Sequence, residues 1–120
     1  MITFKKVKVC FLLTFIFFNI FYIAPCYSLS LREDLFKNAL DLSAGGNFNL
    51  ALQEWNHYVD SYPDDAAGLS NRGNVKLVIG DLKGSIDDQN KAISLNPNEI
   101  DPYINRGIAC LLYTSDAADE

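Results

Sequence analysis

Two hydrophobic patterns divide the chain. Nearly every residue from Val9 to Ala24 is apolar, so no face of a helix formed there would be polar. Further along, apolar residues recur at the spacing of a single helix face, as in Leu82, Ile86 and Ile93. The sequence is therefore predicted to be all-α, with a hydrophobic N-terminal helix followed by amphipathic helices.

The N-terminal segment, residues 1–28, has the parts of a secretory signal peptide. Three lysines within the first eight residues precede the apolar run, and Ala24 and Cys26 are small residues of the kind a signal peptidase reads. A retained membrane anchor is the second interpretation, because residues 9–27 approach the roughly 20 apolar residues that a transmembrane helix needs. A third is lipid modification of Cys26.

All three interpretations place the rest of the chain on the same side of a membrane. The lysines are expected to stay on the cytoplasmic or stromal side, which places the following residues opposite. We therefore expect an exported or membrane-tethered protein, in contact with the membrane through residues 9–27 if they are not removed.

The amphipathic region contains an internal repeat. Asn71-Arg72-Gly73 returns as Asn105-Arg106-Gly107, and Pro63 returns as Pro97, each 34 residues later. A fixed period of this size is typical of stacked helical hairpins. Residues 30–109 are therefore predicted to form a helical-hairpin solenoid.

The pattern resembles the tetratricopeptide repeat family, with units at 32–65 and 66–99 and a partial unit at 100–109. Only small side chains let the two antiparallel helices of a unit cross closely. Ala39 is predicted to face Ala51, and Gly73 to face Ser85. The predicted crossing residues are Ala39, Ala51, Gly73, Ser85 and Gly107.

Three residues depart from the family's pattern. Lys76 and Gln89 stand where the pattern has aromatic residues, and Tyr58 stands where it has alanine. We expect looser packing around Tyr58 because its ring is much larger than a methyl group.

The third unit has a first helix but no recognisable second one. Its turn position holds Thr114, where the earlier units have Gly46 and Gly80. Residues 110–120 also resemble the translation of a sequencing adapter. They are predicted to be a non-native tail, with Ala109 the last native residue and more repeats expected beyond it.

The resemblance implies a scaffold or adaptor that binds a peptide or protein in a concave groove lined by the first helix of each unit. The groove candidates are Glu33, Phe36, Leu40, Asn71, Asn74, Leu77, Asp101 and Asn105. Asn71 and Asn105 could bond a peptide backbone, since an amide both donates and accepts. They could equally stabilise their own helices. Arg72 and Arg106 are interpreted as solvent-facing residues or inter-repeat ion-pair partners.

Some members of the family bind a partner's C-terminal carboxylate through lysines, an arginine and asparagines. This sequence has Phe36 and Leu40 where a lysine and an asparagine would stand, and Asp101 and Asn105 where a lysine and an arginine would stand. A carboxylate ligand would lack its cations, so this kind of binding is not expected.

Composition and spacing exclude several other functions. Ten Lys and Arg against 15 Asp and Glu give a net charge of −5, which argues against nucleic-acid binding. The three cysteines form neither a disulfide framework nor a zinc site. His57 lacks the supporting groups of a catalytic dyad, and Asp64-Asp65 and Asp87-Asp88 lack calcium-loop spacing. We therefore expect no cofactor, no metal and no catalysis.

Two further expectations concern context. Ser70–Asn74 and Asp101–Gly107 are similar to repeat proteins of cyanobacteria and chloroplasts, which implies a thylakoid or plastid setting. The alternative to an adaptor is a regulatory or localising repeat region of a larger enzyme whose catalytic part lies beyond Ala109.

Overall fold

A computed structural model describes residues 29–119. The chain divides into two units after Asp34. Residues 29–34, the described part of the first unit, are helical; the predicted signal or anchor segment at 1–28 lies outside the described residues. Between residues 29 and 119, no helix combines the length and apolar character needed to cross a bilayer.

All regular secondary structure in residues 29–119 is helical. The helices are α1 at residues 29–44, α2 at Phe48–Ser61, α3 at Ala66–Val78, α4 at Leu82–Leu95 and α5 at Asp101–Ala118. From Leu35 onward α1 and α2 form one hairpin, joined by Phe36 against Trp55 and by a bond from the Trp55 indole N–H to Ser43. The second hairpin is α3 and α4, and α5 packs against both of its helices. The predicted all-α hairpin architecture is confirmed.

Each hairpin turns at a glycine in the left-handed region. Gly46 has φ 77° and Gly80 has φ 87°, a conformation that costs other residues about 1–2 kcal/mol. The third position in this series is Thr114, and there the chain does not turn: α5 continues to Ala118. The tail at 110–118 is thus helical and solvent-exposed throughout, while its non-native origin stays a prediction.

Aspartates begin both helices of the second hairpin. The Oδ1 of Asp65 accepts a hydrogen bond from the N–H of Ala67 at 3.0 Å. The Oδ1 of Asp81 accepts one from the N–H of Gly84, also at 3.0 Å. Both satisfy backbone donors that a helix start leaves without an intrahelical acceptor.

The core of the first hairpin is aromatic. The rings of Phe36, Trp55 and Tyr58 meet edge to face, with centroids 5.0 to 5.7 Å apart. Ala39 and Ala51, the predicted crossing pair, are both fully buried in the same core cluster. Small residues on two helices therefore leave room for large rings beside them.

Tyr58 is closely packed, so the expectation of looser packing is wrong. Its side chain is 1 % exposed, and its hydroxyl donates to the Oδ2 of Asp65 at 2.5 Å. A Cβ added at Gly68 would lie 2.5 Å from the Cε1 of Tyr58. The ring that replaces an alanine is accommodated by a glycine on the next helix.

The second hairpin crosses through Gly73, but its nearest neighbours differ from the prediction. The three atoms nearest to an added Cβ belong to Gln89 and Asp88, the closest being the Nε2 of Gln89 at 2.7 Å. Ser85, the predicted partner, is fully buried on α4 but is not among them. Gln89 instead fills the crossing, and its Nε2 donates to the carbonyl oxygen of Ser70 at 3.0 Å.

Gly107 is not a helix-crossing contact in the part of the chain that the structure describes. It is exposed on α5, and an added Cβ would have no neighbour within 4 Å. Residues 29–119 contain no second helix in the third unit to cross it. Its glycine therefore has no packing role there.

Candidate functional site

A cavity of about 220 Å³ lies between α3 and the start of α5. We call it the groove cavity. Its walls are the first helices of two successive units, the surface on which the repeat pattern predicts a ligand. Its lining residues are Ala67, Ser70, Asn71, Asn74, Glu99, Asp101, Ile104 and Asn105.

Four of the predicted groove residues come together at this cavity: Asn71, Asn74, Asp101 and Asn105. They lie there because α3 and α5 are the first helices of successive 34-residue units and present equivalent faces. Asn71 and Asn105 are equivalent by that period. The structure therefore brings into one place residues that the sequence placed on two separate helices.

The other predicted groove residues lie elsewhere. Phe36, Leu40 and Leu77 do not line the groove cavity. Phe36 is half-buried against the rings of Trp55 and Tyr58, so it contributes to the core. Glu33 is exposed and precedes the division of the chain; its groove role stays a prediction.

Sequence reasoning missed Glu99, Ser70 and Ile104. Glu99 lies in the loop before α5, whereas the prediction used only positions within first helices. The proline-containing loop ends where the groove begins, and this could have indicated that a loop residue contributes.

Asn71 makes the local contact that was its alternative interpretation. Its Nδ2 donates to the carbonyl oxygen of Ala67, one turn earlier, at 2.9 Å. This orients the amide and leaves its Oδ1 as an acceptor at the cavity. A helix-stabilising bond and a ligand contact are therefore compatible in this residue, since the amide has separate donor and acceptor atoms.

The cations of α3 are directed at α4. Arg72 donates to both carboxylate oxygens of Asp88, from Nε at 2.8 Å and from Nη2 at 2.6 Å. The Nζ of Lys76 lies 2.8 Å from Asp88 Oδ2. The hydrogen bonds to Asp88 raise the pKa of Arg72 above its ordinary value, against the opposing effect of burial. Both cations are thus held by one buried acid.

The same arginine connects successive units. Arg72 Nη1 donates to Asn56 Oδ1 on α2 at 3.3 Å. Arg106 Nη1 donates to Asn90 Oδ1 on α4 at 2.9 Å, so the contact recurs one repeat later. The Arg106 guanidinium carbon also lies 5.5 Å from the centre of the Tyr103 ring. The two arginines are inter-repeat contacts, and only Arg72 has an acidic partner among these.

The groove cavity is therefore lined by acceptors and acids. Its charged lining residues are Glu99 and Asp101, and no Lys or Arg lines it. The arrangement offers carbonyl oxygens and carboxylates to a ligand, together with the N–H groups of three asparagine amides.

Metal binding has no candidate site in the described residues. Between 29 and 119, no group of three His, Cys, Asp or Glu side chains could hold a metal ion. His57 is exposed on α2, and Cys110 is a free, exposed thiol.

Solved structures with this architecture identify the fold. The chain superposes with a TM-score of 0.67 and 24 % identity on a structure titled "TPR2B-domain:pHsp70-complex of yeast Sti1", covering 72 % of this chain and 70 % of that one. The fold is of the tetratricopeptide repeat type. A second structure, "TPR2AB-domain:pHSP90-complex of yeast Sti1", matches with the same TM-score and identity over 34 % of its length.

Two proteins match part of this chain in sequence. The chain is 33 % identical over 64 residues to zebrafish (Danio rerio) "Tetratricopeptide repeat protein 36", covering 53 % of this chain and 34 % of that protein. It is 27 % identical over 79 residues to rice (Oryza sativa subsp. japonica) "Protein SGT1 homolog", covering 66 % and 22 %. The chain thus spans about a third of the first relative's length and about a fifth of the second's. No protein-family model matches it.

Proposed function

We propose that this chain is a protein-interaction module of tetratricopeptide type that binds an extended peptide segment in the groove cavity. The observation that carries the proposal is the convergence of Asn71, Asn74, Asp101 and Asn105 on that cavity. Both matched Sti1 structures are complexes, with pHsp70 and pHSP90. Those partners belong to Sti1; what they support here is a polypeptide ligand.

Asparagine amides suit the recognition of a peptide backbone. Each amide carries an acceptor oxygen and donor N–H groups, which complement the N–H and C=O groups of an extended chain. Such contacts do not read side chains, so affinity and selectivity come from different residues. In this account Asn71, Asn74 and Asn105 hold the backbone, and the charged residues select among sequences.

The groove is also pre-organised. Arg72 bridges α2 and α4 through Asn56 and Asp88, and Arg106 ties α5 to α4 through Asn90. These bonds fix the helices that line the cavity before a ligand arrives. A groove that needs no ordering loses less conformational entropy on binding.

The proposal includes the setting of the module. We propose that the chain is exported or membrane-tethered, with the repeats on the non-cytoplasmic side, on the grounds of the lysines and apolar run within residues 1–28. A plastid or thylakoid setting rests on the resemblance of its repeats alone. A protease-protection assay on intact vesicles tests the orientation: digestion of residues 29–119 from the cytoplasmic face would contradict it.

The binding proposal is tested by removing the amides. Asn71→Ala with Asn105→Ala is expected to weaken capture of partners by about tenfold, the loss of roughly 1.4 kcal/mol typical of important contacts. Asn49→Ala, which removes an exposed asparagine on α2 outside the cavity, is the matched control. Partners that bind the double variant and the parent equally would refute the assignment, provided circular dichroism shows both to be folded.

A further inference from the structure

We propose that the peptide bound in the groove cavity carries a positive charge, a lysine or arginine side chain placed near Glu99 and Asp101. This rests on the proposed function and adds the chemical class of the ligand. It differs from the binding of a free C-terminal carboxylate, which needs cations at the same surface.

The charge of the lining is one-sided. Glu99 and Asp101 are the charged lining residues. Asp101 is exposed at the start of α5, and Glu99 is half-buried in the preceding loop. Glu99 Oε2 accepts a bond from the Nδ2 of Asn96 at 3.2 Å, a neutral partner that does not cancel the charge. Two negative charges therefore border a polar cavity.

The neighbouring cations contact residues outside the groove cavity. Arg72 and Lys76 both contact Asp88, whose side chain is 7 % exposed. Arg106 contacts Asn90 and the Tyr103 ring. Moving either α3 cation into the groove would leave Asp88 buried with less counter-charge, which is unfavourable. These three cations therefore do not neutralise Glu99 or Asp101.

The α3 wall offers amide oxygens as acceptors, including that of Asn71. The Asn71 amide has already given one N–H to Ala67, so its Oδ1 faces no competition from that bond. An ammonium or guanidinium group presents only donors, and it can bond such an oxygen and a carboxylate together. A carboxylate ligand would meet two like charges, which disfavours it.

Stabilisation of α5 explains only one of the two acids. Asp101 lies in the first turn of α5, where a negative charge interacts favourably with the helix dipole. That accounts for an acid at Asp101, but not for Glu99 before the helix or for the absence of a cation at the cavity wall. Glu99→Gln therefore separates ligand selection from helix stabilisation.

Selection from random peptides tests the charge directly. A displayed library of short peptides is panned against the full chain, against Glu99→Gln with Asp101→Asn, and against the control Asp87→Asn with Asp116→Asn. The control removes the same charge from outside the groove cavity. We expect Lys and Arg to be enriched on the parent and the control, and about tenfold weaker binding of the selected peptides to the groove variant. Added salt should weaken parent binding.

The other outcomes overturn the proposal in distinguishable ways. Enrichment of acidic residues or of a free C-terminal carboxylate would refute the basic ligand while leaving the groove function standing. Basic peptides that bind the groove variant undiminished would place their site elsewhere. Failure to enrich any peptide would refute peptide binding itself. If the double variant is unfolded by circular dichroism, Glu99→Gln alone decides, with Asp87→Asn as its control.

Discussion

The two complete hairpins solve the same packing problem with different chemistry. Trp55 in the first hairpin and Gln89 in the second are 34 residues apart, and both are fully buried. Around Trp55 are the rings of Phe36 and Tyr58. Around Gln89 are the backbone of Ser70, the close approach of Gly73 and the charged cluster on Asp88.

The difference shows what the repeat requires. The backbone path depends on small residues at the crossing and glycines at the turn, whereas the filling of the space beside them can be aromatic or polar. The polar solution has a cost. Ser85 Oγ and Gln89 Oε1 are buried without a hydrogen-bond partner, and each unsatisfied group costs about 1–3 kcal/mol.

The largest expected effect is on the aromatic side. Trp55→Ala should lower the free energy of unfolding by about 3–5 kcal/mol, because it leaves a buried cavity beside the rings of Phe36 and Tyr58. At the equivalent position, Gln89→Leu should stay within about 1 kcal/mol, since keeping the volume and removing an unsatisfied oxygen offset the loss of the bond to Ser70. Urea denaturation of both variants measures this. Equal losses would show that the two cores are not different in kind.

The charged cluster comes next. Asp88→Asn should cost about 1–3 kcal/mol, less than the 3–5 kcal/mol of a fully buried pair because Arg72 and Lys76 are partly exposed. Asp87→Asn, which breaks only an exposed pair with Lys83, should change stability by less than about 0.5 kcal/mol. Similar melting temperatures for the two variants would contradict this account.

The contribution of Arg72 to folding stability is present over a defined pH range. Its pKa is raised in the folded state, so the stabilisation is present at neutral pH and is lost only as pH rises through that raised value. Titration of Arg72 therefore leaves stability constant from pH 6 to pH 9, measured by unfolding of the parent and Arg72→Gln. A difference between the two that shrinks over this range as pH rises would contradict the assignment.

Gly73 and Gly107 occupy equivalent repeat positions, and substituting each by alanine distinguishes helix-crossing contacts from helix propensity. Gly73→Ala should destabilise the chain by about 1–3 kcal/mol, because the new Cβ would overlap Gln89. Gly107→Ala should stabilise α5 by up to about 1 kcal/mol, since its Cβ meets open space. Thermal unfolding should thus move in opposite directions for the two. A shared direction would mean that the hairpin crossing does not constrain Gly73.

The turns test the requirement for glycine. Gly80→Thr should cost about 1–2 kcal/mol, because threonine resists the positive φ that Gly80 adopts. Thr114→Gly, its counterpart in α5, should cost about 1 kcal/mol or less and reduce helix content near the C-terminus. Circular dichroism and unfolding together report both. A Gly80→Thr variant as stable as the parent would show that the turn does not depend on glycine.

The sequence predicted the features that repeat and missed those that compensate. The period placed the turns at Gly46 and Gly80 and brought Asn71 and Asn105 to equivalent faces. It could not show that Gly68 makes room for Tyr58, because that pairing is specific to this chain.

Contacts between helices were also not predictable from the sequence. Asp88 appeared in the sequence only as half of an acidic pair, yet it holds both cations of α3. That contact joins residues 12 and 16 positions apart across a hairpin, a separation set by helix crossing and not by any local pattern. Glu99 was missed for a related reason, since it reaches the groove from a loop.

Asparagine side-chain resonances test the central claim most directly, because the chain carries its own control. With asparagine selectively labelled in nitrogen-15, a peptide selected for binding is titrated into the protein. We expect shifts at Asn71, Asn74 and Asn105, which line the groove cavity, and none at Asn56 and Asn90, which face the arginines. Shifts confined to Asn56 and Asn90 would place the ligand on the opposite side of α3 and α5 and contradict the account.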